Sequence, residues 1–165
     1  MMSSQFLLNL FIAVLWILLK DENEIHLTTF FSGFLIGIVV LYLMHRFFGT
    51  PFYLRRVVAI VKLTLLFLKE LVMSSILVFK QILSPKMDIT PGIFTYKTDL
   101  KSETEVTALA LLLTLTPGSV VMEVSPAGNV FYIHATDMGD TRISILKSMK
   151  SFEDAIKEVT RRYDD

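Results

Sequence analysis

The side chains best able to do chemistry in this chain cluster on one stretch. Between Arg55 and Leu83, the cations Arg55, Lys62, Lys69 and Lys80 recur at intervals of 7, 7 and 11 residues, with Glu70 and Gln81 beside them. At about 100° per residue the four project into one wedge of roughly 40°, so the stretch reads as a single long helix with a basic stripe. Lys69 and Glu70 are adjacent and point about 100° apart, too far to pair well. If the helix crosses a bilayer, these two stand near its middle, and with Lys62 they are candidates for an ion path or for an interface with another protein. A charge at the helix centre costs ~2.5–3.5 kcal/mol on the insertion scale, so the pair roughly cancels what the apolar residues return. If the helix lies along the bilayer, the lysine heads reach water while their stems cover apolar surface. The in-line stripe favours the second reading.

Other reactive residues are few. His134 stands alone in an apolar run and reads as structural or partner-facing. Asp137 and Asp140 flank Gly139, and two carboxylates in a loop form turns more often than they hold calcium. No Gly-rich phosphate loop, His-x-x-x-His or nucleophile motif occurs. The 165 residues contain no cysteine, which excludes disulfides, thiolate metal sites and cysteine catalysis. The expectation is no enzyme, no catalytic residue, no cofactor and no metal. Sixteen basic and sixteen acidic residues balance to zero net charge, and the basic residues after Pro85 are scattered, so nucleic acid is not expected as a partner.

The elements that must carry these residues divide the chain. Hydrophobic residues make up 53% of it against 19% charged, and the unbroken apolar runs fall before Pro85. Residues 1–56 read as a transmembrane hairpin with spans at about 4–19 and 27–44, the second close to the length of a ~30 Å hydrocarbon core. The turn Lys20-Asp21-Glu22-Asn23-Glu24 is acidic, whereas residues 45–56 carry three arginines, several aromatics and no acid. The positive-inside bias puts that second loop and the N-terminus in the cytoplasm. Gly33 and Gly37 form a Gly-x-x-x-Gly, a helix-packing interface for the first span or for a partner helix. Neither span contains Asp, Glu, Lys or Arg, so the hairpin is an anchor or packing element and not a pore.

Residues 57–84 are the basic-striped helix, peripheral or a third span. Residues 85–165 read as a small cytoplasmic α+β domain. Ile93–Thr98 is a strand. Ser102-Glu103-Thr104-Glu105 is a capping box opening a helix that Thr116-Pro117-Gly118 stops. That helix is too short and too broken by Pro117-Gly118 to be a further span. Ser119–Val124 and Val130–Ala135 form a hairpin about Ser125–Asn129. Ile145, Met149, Phe152, Ile156 and Val159 mark a last helix over Ile143–Arg162. The fold class is thus a membrane α-helical hairpin and a long amphipathic helix, followed by a β-α-β-β-α domain with a three-stranded sheet covered by two helices. Thr116, Pro117, Gly118 and His134 are its candidate domain or partner contacts.

Through Ser102–Val106, Leu113–Ser119 (Leu-Thr-Leu-Thr-Pro-Gly-Ser), Val124–Gly128 and Tyr132–Ala135 (Tyr-Ile-His-Ala), and along essentially its whole length, the chain resembles the E subunit of the Mrp-type (Mnh-type) multisubunit sodium/proton antiporters of bacteria. Those four stretches are the most specific. Trp16, Gly33, Gly37 and the aromatic-basic loop fit less specifically, and the loop Thr136–Asp140 departs from the more acidic pattern of relatives. The resemblance implies an accessory or assembly subunit in the cytoplasmic membrane, multi-pass. Its partners would be membrane lipid and about half a dozen other membrane proteins, of which the larger ones carry the ions. Two rivals remain. In one, Lys69 and Glu70 join the sodium or proton route. In the other, the chain is a stand-alone membrane-tethered binding module.

Overall fold

A computed structural model describes residues 2–20, 26–48, 53–85 and 89–160. The chain divides into two compact units between Val57 and Val58.

The first unit holds α1 (Met2–Leu19), α2 (Leu27–Phe48) and the opening turn of α3 (Tyr53–Leu83). No proline interrupts either of the first two helices, and their mixture of leucine, isoleucine and phenylalanine tolerates helix on every face. The window Leu27–Met44 is long and apolar enough to cross a membrane, the one such helix among the described residues. The apolar stretch Ser4–Leu19 is shorter, rising about 24 Å against a ~30 Å core. Of the acidic turn only Lys20 lies among the described residues. Of the basic loop, only Tyr53–Arg56 have described side chains. The core of this unit is Leu41 and Tyr53, with Ile12, Ile38 and Leu54 packed on them. Phe6 meets Phe34 and Tyr53 edge-on, with centroids 6.5 and 6.4 Å away.

The second unit runs from Val58 through the rest of α3, then β1 (Gly92–Lys97), α4 (Glu103–Thr114), β2 (Ser119–Val124), β3 (Val130–Ala135) and α5 (Asp140–Thr160). The order β-α-β-β-α follows the sequence reading. The sheet is antiparallel in the order β1-β3-β2. Its hairpin turns at Gly128, whose φ of +71° a side chain would rarely adopt. A bulge at Met122 separates Val121 from Glu123 on β2. Strand β3 alternates: Phe131, Ile133 and Ala135 are buried, whereas Tyr132 and His134 take the other face. The core joins these to Phe94, Leu109, Leu113, Met149, Phe152 and Ile156.

Two differences from the sequence reading have physical causes. Helix α5 starts three residues before Ile143, at Asp140, directly after a turn that Asp137 closes. The Asp137 carboxylate accepts from the Gly139 N–H at 3.3 Å and from the Thr141 hydroxyl at 3.4 Å. Apolar spacing cannot register a first turn that carries no large apolar residue. Secondly, α4 and α5 do not cover the sheet alone: Leu63, Leu66 and Phe67 of α3 also pack against the core.

Candidate interaction surfaces

In the first unit the two glycines face α1. A Cβ on Gly33 would stand 2.7 Å from Trp16 Cβ and 3.1 Å from Ala13 Cα, and one on Gly37 would stand 1.9 Å from Asn9 Oδ1. Both helices approach closely because neither glycine has that atom. Asn9 is fully buried. Its amide donates to the Tyr53 hydroxyl at 2.8 Å, and the Tyr53 N–H donates to Gln5 Oε1 at 3.0 Å. These bonds clasp α1 to the first residue of α3. Asn9, Ala13 and Trp16 sit at the spacing of one helix face, so the sequence carried a signal for the clasp that hydropathy hides.

In the second unit α3 lies antiparallel to α5. Lys62 pairs with Glu158 at 2.8 Å, Glu70 accepts from the Ser148 hydroxyl, and Gln81 donates to Thr141 at 3.4 Å. As the α3 number rises, the α5 number falls, over nearly the full length of α5. Glu70 is the one acidic residue of α3, and it is turned to the domain. Lys69 and Lys80 are exposed. The structure therefore separates Lys69 from Glu70, and brings Lys62 and Glu70 to the same helix.

Thr116 is buried, its hydroxyl on the Leu113 carbonyl at 2.7 Å. Gly118 has φ +97°, and its carbonyl accepts from the Thr136 N–H and hydroxyl at 3.0 and 3.2 Å. Thr116–Gly118 thus ends α4 and ties β2 to the end of β3. His134 pairs across the sheet with Ile93 and Val120, on the face away from the helices and apart from that turn.

Two buried carboxylates are structural sites: Glu153 escaped the sequence reading, whereas Glu105 was read as the capping-box residue it is, without its bond to α5. Glu153, 1% exposed, accepts from the Tyr96 and Thr98 hydroxyls at 2.9 Å each and from Lys157, with Lys150 at 3.6 Å. Burial alone pushes its carboxyl up. The donors Lys157, Thr98 and Tyr96 outweigh that and hold it down to about 2, from an ordinary 4.5. The Tyr96 phenol is pushed well up by burial and by its bond to Glu153. Glu105 accepts from the Lys101 and Ser102 N–H groups at 3.1 and 3.2 Å and from the Thr160 hydroxyl. It joins the start of α4 to the end of α5. Glu153 follows Met149 by four residues and precedes Ile156 by three, which is a core position; its charge disguised it. Among the described residues no group of His, Asp and Glu could hold a metal.

A family model described as Na+/H+ ion antiporter subunit matches residues 9–159. The E subunit of an Na(+)/H(+) antiporter from Bacillus subtilis (strain 168) is 43% identical over 160 residues, spanning 97% of this chain and 100% of that protein. Among solved structures, a chain of the Mrp complex from Dietzia sp. DQ12-45-1b is 28% identical with a TM-score of 0.44, over 62% of this chain and 96% of its own. A chain of the membrane-bound sulfane sulfur reductase, an archaeal respiratory membrane complex, is 22% identical with a TM-score of 0.50. That likeness covers 94% of this chain and 98% of that one, so the fold is shared nearly end to end.

Proposed function

The chain belongs to the MnhE family of Na+/H+ ion antiporter subunits, and from that footing we propose that it is an accessory, non-enzymatic assembly subunit of a membrane-bound cation/proton antiporter. It supports cation efflux coupled to proton uptake, and its partners are the other membrane subunits. Ions pass through those partners and not through this chain.

The observation that carries this reading is the orientation of Glu70. A carboxylate on an ion route must exchange partners with the ion or with water. Glu70 instead holds Ser148 of α5, which is a brace. In α1 the buried Asn9 amide N–H is likewise engaged, with the Tyr53 hydroxyl. In this proposal α2 spans the bilayer and α1 is retained as a second span. The N-terminus and the α+β domain are cytoplasmic in this proposal, a placement supported by the positive-inside bias of residues 45–56. Docked along α5, α3 stays on the domain's side. Because Gly33 and Gly37 are turned to α1, the hairpin meets other subunits through its outer residues such as Phe11, Leu35 and Leu43, which are exposed, rather than through the glycines.

The test is co-purification in mild detergent through a tag after Asp165. The expected product is a particle of several different polytopic proteins. Recovery of the chain alone, under conditions that preserve other membrane complexes, would return the stand-alone module. A Glu70→Gln variant is expected to assemble and to keep most of its sodium-driven exchange in everted vesicles. Assembly without exchange would place Glu70 on the ion route.

A further inference from the structure

We propose that α3 is a lipid-binding beam: its outer face lies in the headgroup–acyl boundary of an anionic bilayer, Lys69 and Lys80 engage phospholipid phosphates, and its inner face carries the α+β domain. The proposal deepens the reading above and rests on it for the presence of a membrane.

Around α3 the residues sort into sectors. The inner sector holds Leu63, Leu66, Phe67, Glu70 and Gln81, all committed to the domain. On the opposite side Val61, Leu65, Leu68, Val72, Ile76 and Phe79 fall within about 80° at 100° per residue. All six are exposed, Phe79 by 62% and Leu65 by 61%. This face runs for about 27 Å at 1.5 Å per residue, and no charged residue interrupts it. Contiguous apolar surface of that size marks an interaction site.

The borders of the face identify what covers it. On one border stand Lys69 and Lys80, both exposed, with the helix's only acid withdrawn to the inner sector. On the other stand Thr64 and Ser75. Their hydroxyls are spent on the helix's own carbonyls, Ile60 O at 3.0 Å and Leu71 O at 2.7 Å. The face therefore offers apolar surface and cations with little spare hydrogen bonding; α3 puts no carboxylate on it, and the one acid α5 brings to the lysine border, Glu158, is held by Lys62. That complements a phosphate-bearing lipid surface. The usual amphipathic helix turns its polar face to water; here the α+β domain takes that place. A transmembrane course is incompatible with the inner contacts, which bind α3 to α5 from Lys62 to Gln81.

The experiment uses the full chain, which has no cysteine to remove. Single cysteines at Leu65, Val72 and Phe79 are spin-labelled. Their depth is read from oxygen and nickel-chelate collision rates in nanodiscs of neutral phosphatidylcholine, and in discs with a third phosphatidylglycerol. The expected result is one shallow depth at all three positions, open to oxygen and closed to nickel, and deeper in the anionic discs. Lys69→Glu with Lys80→Glu should move the labels towards water in anionic discs and leave them in neutral ones. Near a membrane surface each basic residue changes partition roughly fivefold. Several results would overturn the proposal. One is a depth changing steadily from Leu65 to Phe79, the signature of a span. Another is nickel access throughout. A third is no response to lipid charge or to charge reversal. A fourth is labels closed to both reagents in membranes containing the whole complex, which would mean that a protein covers the face. Each variant is also scored for co-purification with other antiporter subunits. Loss of the lipid signal with co-purification kept sinks the beam alone, whereas failure of the unchanged chain to co-purify sinks the subunit reading.

Discussion

A buried charge is tolerable only where its hydrogen bonds are complete, and Glu153 shows how completely the domain depends on that. Two hydroxyls from β1 and its edge and a lysine one turn away satisfy it. Glu153→Gln keeps the shape and removes the charge those donors serve, so we expect a loss of about 2–3 kcal/mol, measured by thermal or denaturant unfolding in detergent. The pH dependence has a definite sign. The folded carboxyl titrates at about 2 and the ordinary one at 4.5. Its contribution is therefore present above about 4.5 and disappears as pH falls towards 2. Melts taken between pH 5 and pH 2 should show the unchanged chain losing stability more steeply than Glu153→Gln, with the two curves converging at the acid end. In the hairpin, Gly33 opposes a Cβ and a backbone carbon, which cannot swing away. Gly33→Ile should force α1 and α2 apart. Disulfide formation between cysteines placed at Ile12 and Ile38 should fall severalfold, while the same pair without the Gly33 change cross-links readily.

The elements were legible in proportion to how local their causes are. β2 and β3 stand where β-branched density and the Ser125–Asn129 turn put them, and α4 opens at its capping box, because a few neighbouring residues decide each. α5 was read short at its start because its first three residues, Asp140, Thr141 and Arg142, include no large apolar side chain. The inner and outer sides of α3 were not legible, since both are rich in leucine, valine and phenylalanine. Only the contact with α5 tells them apart, and that contact joins residues about 80 positions away, as Glu70 does with Ser148. The distinction is measurable. Phe67→Ala on the inner side should cost about 2 kcal/mol of stability, while Val72→Ala on the outer side should stay within about 0.5 kcal/mol in detergent. Equal effects would mean that α3 is not docked as described.

At the scale of the whole molecule, a strongly apolar hairpin and a compact α+β unit share one long helix, and the proposed function needs them on defined sides of a membrane. The absence of cysteine makes the sides directly testable. With the N-terminus and the domain cytoplasmic, Lys20→Cys should react with an impermeant thiol reagent on intact cells, and Ser84→Cys should react only after the membrane is opened. Labelling of Ser84→Cys from outside would invert the proposed arrangement. The family could be read from motifs in the domain, Leu113–Ser119 among them, where the buried Thr116 hydroxyl bonds the Leu113 carbonyl and Gly118 takes a positive φ. What the motifs did not disclose is the clasp in the hairpin.

That clasp has a consequence for how the protein is made. Asn9 leaves the ribosome 44 residues before Tyr53, the group its amide bonds to. At 5–20 residues per second, about 2–9 seconds separate the two. During that interval the first helix carries a carboxamide that apolar surroundings penalise unless it is hydrogen-bonded. If α1 is a retained span, as proposed, it is a provisional passenger of the insertion machinery until then. It settles only when the chain beyond the basic loop arrives, so the arrival of Tyr53 acts as a checkpoint in biogenesis.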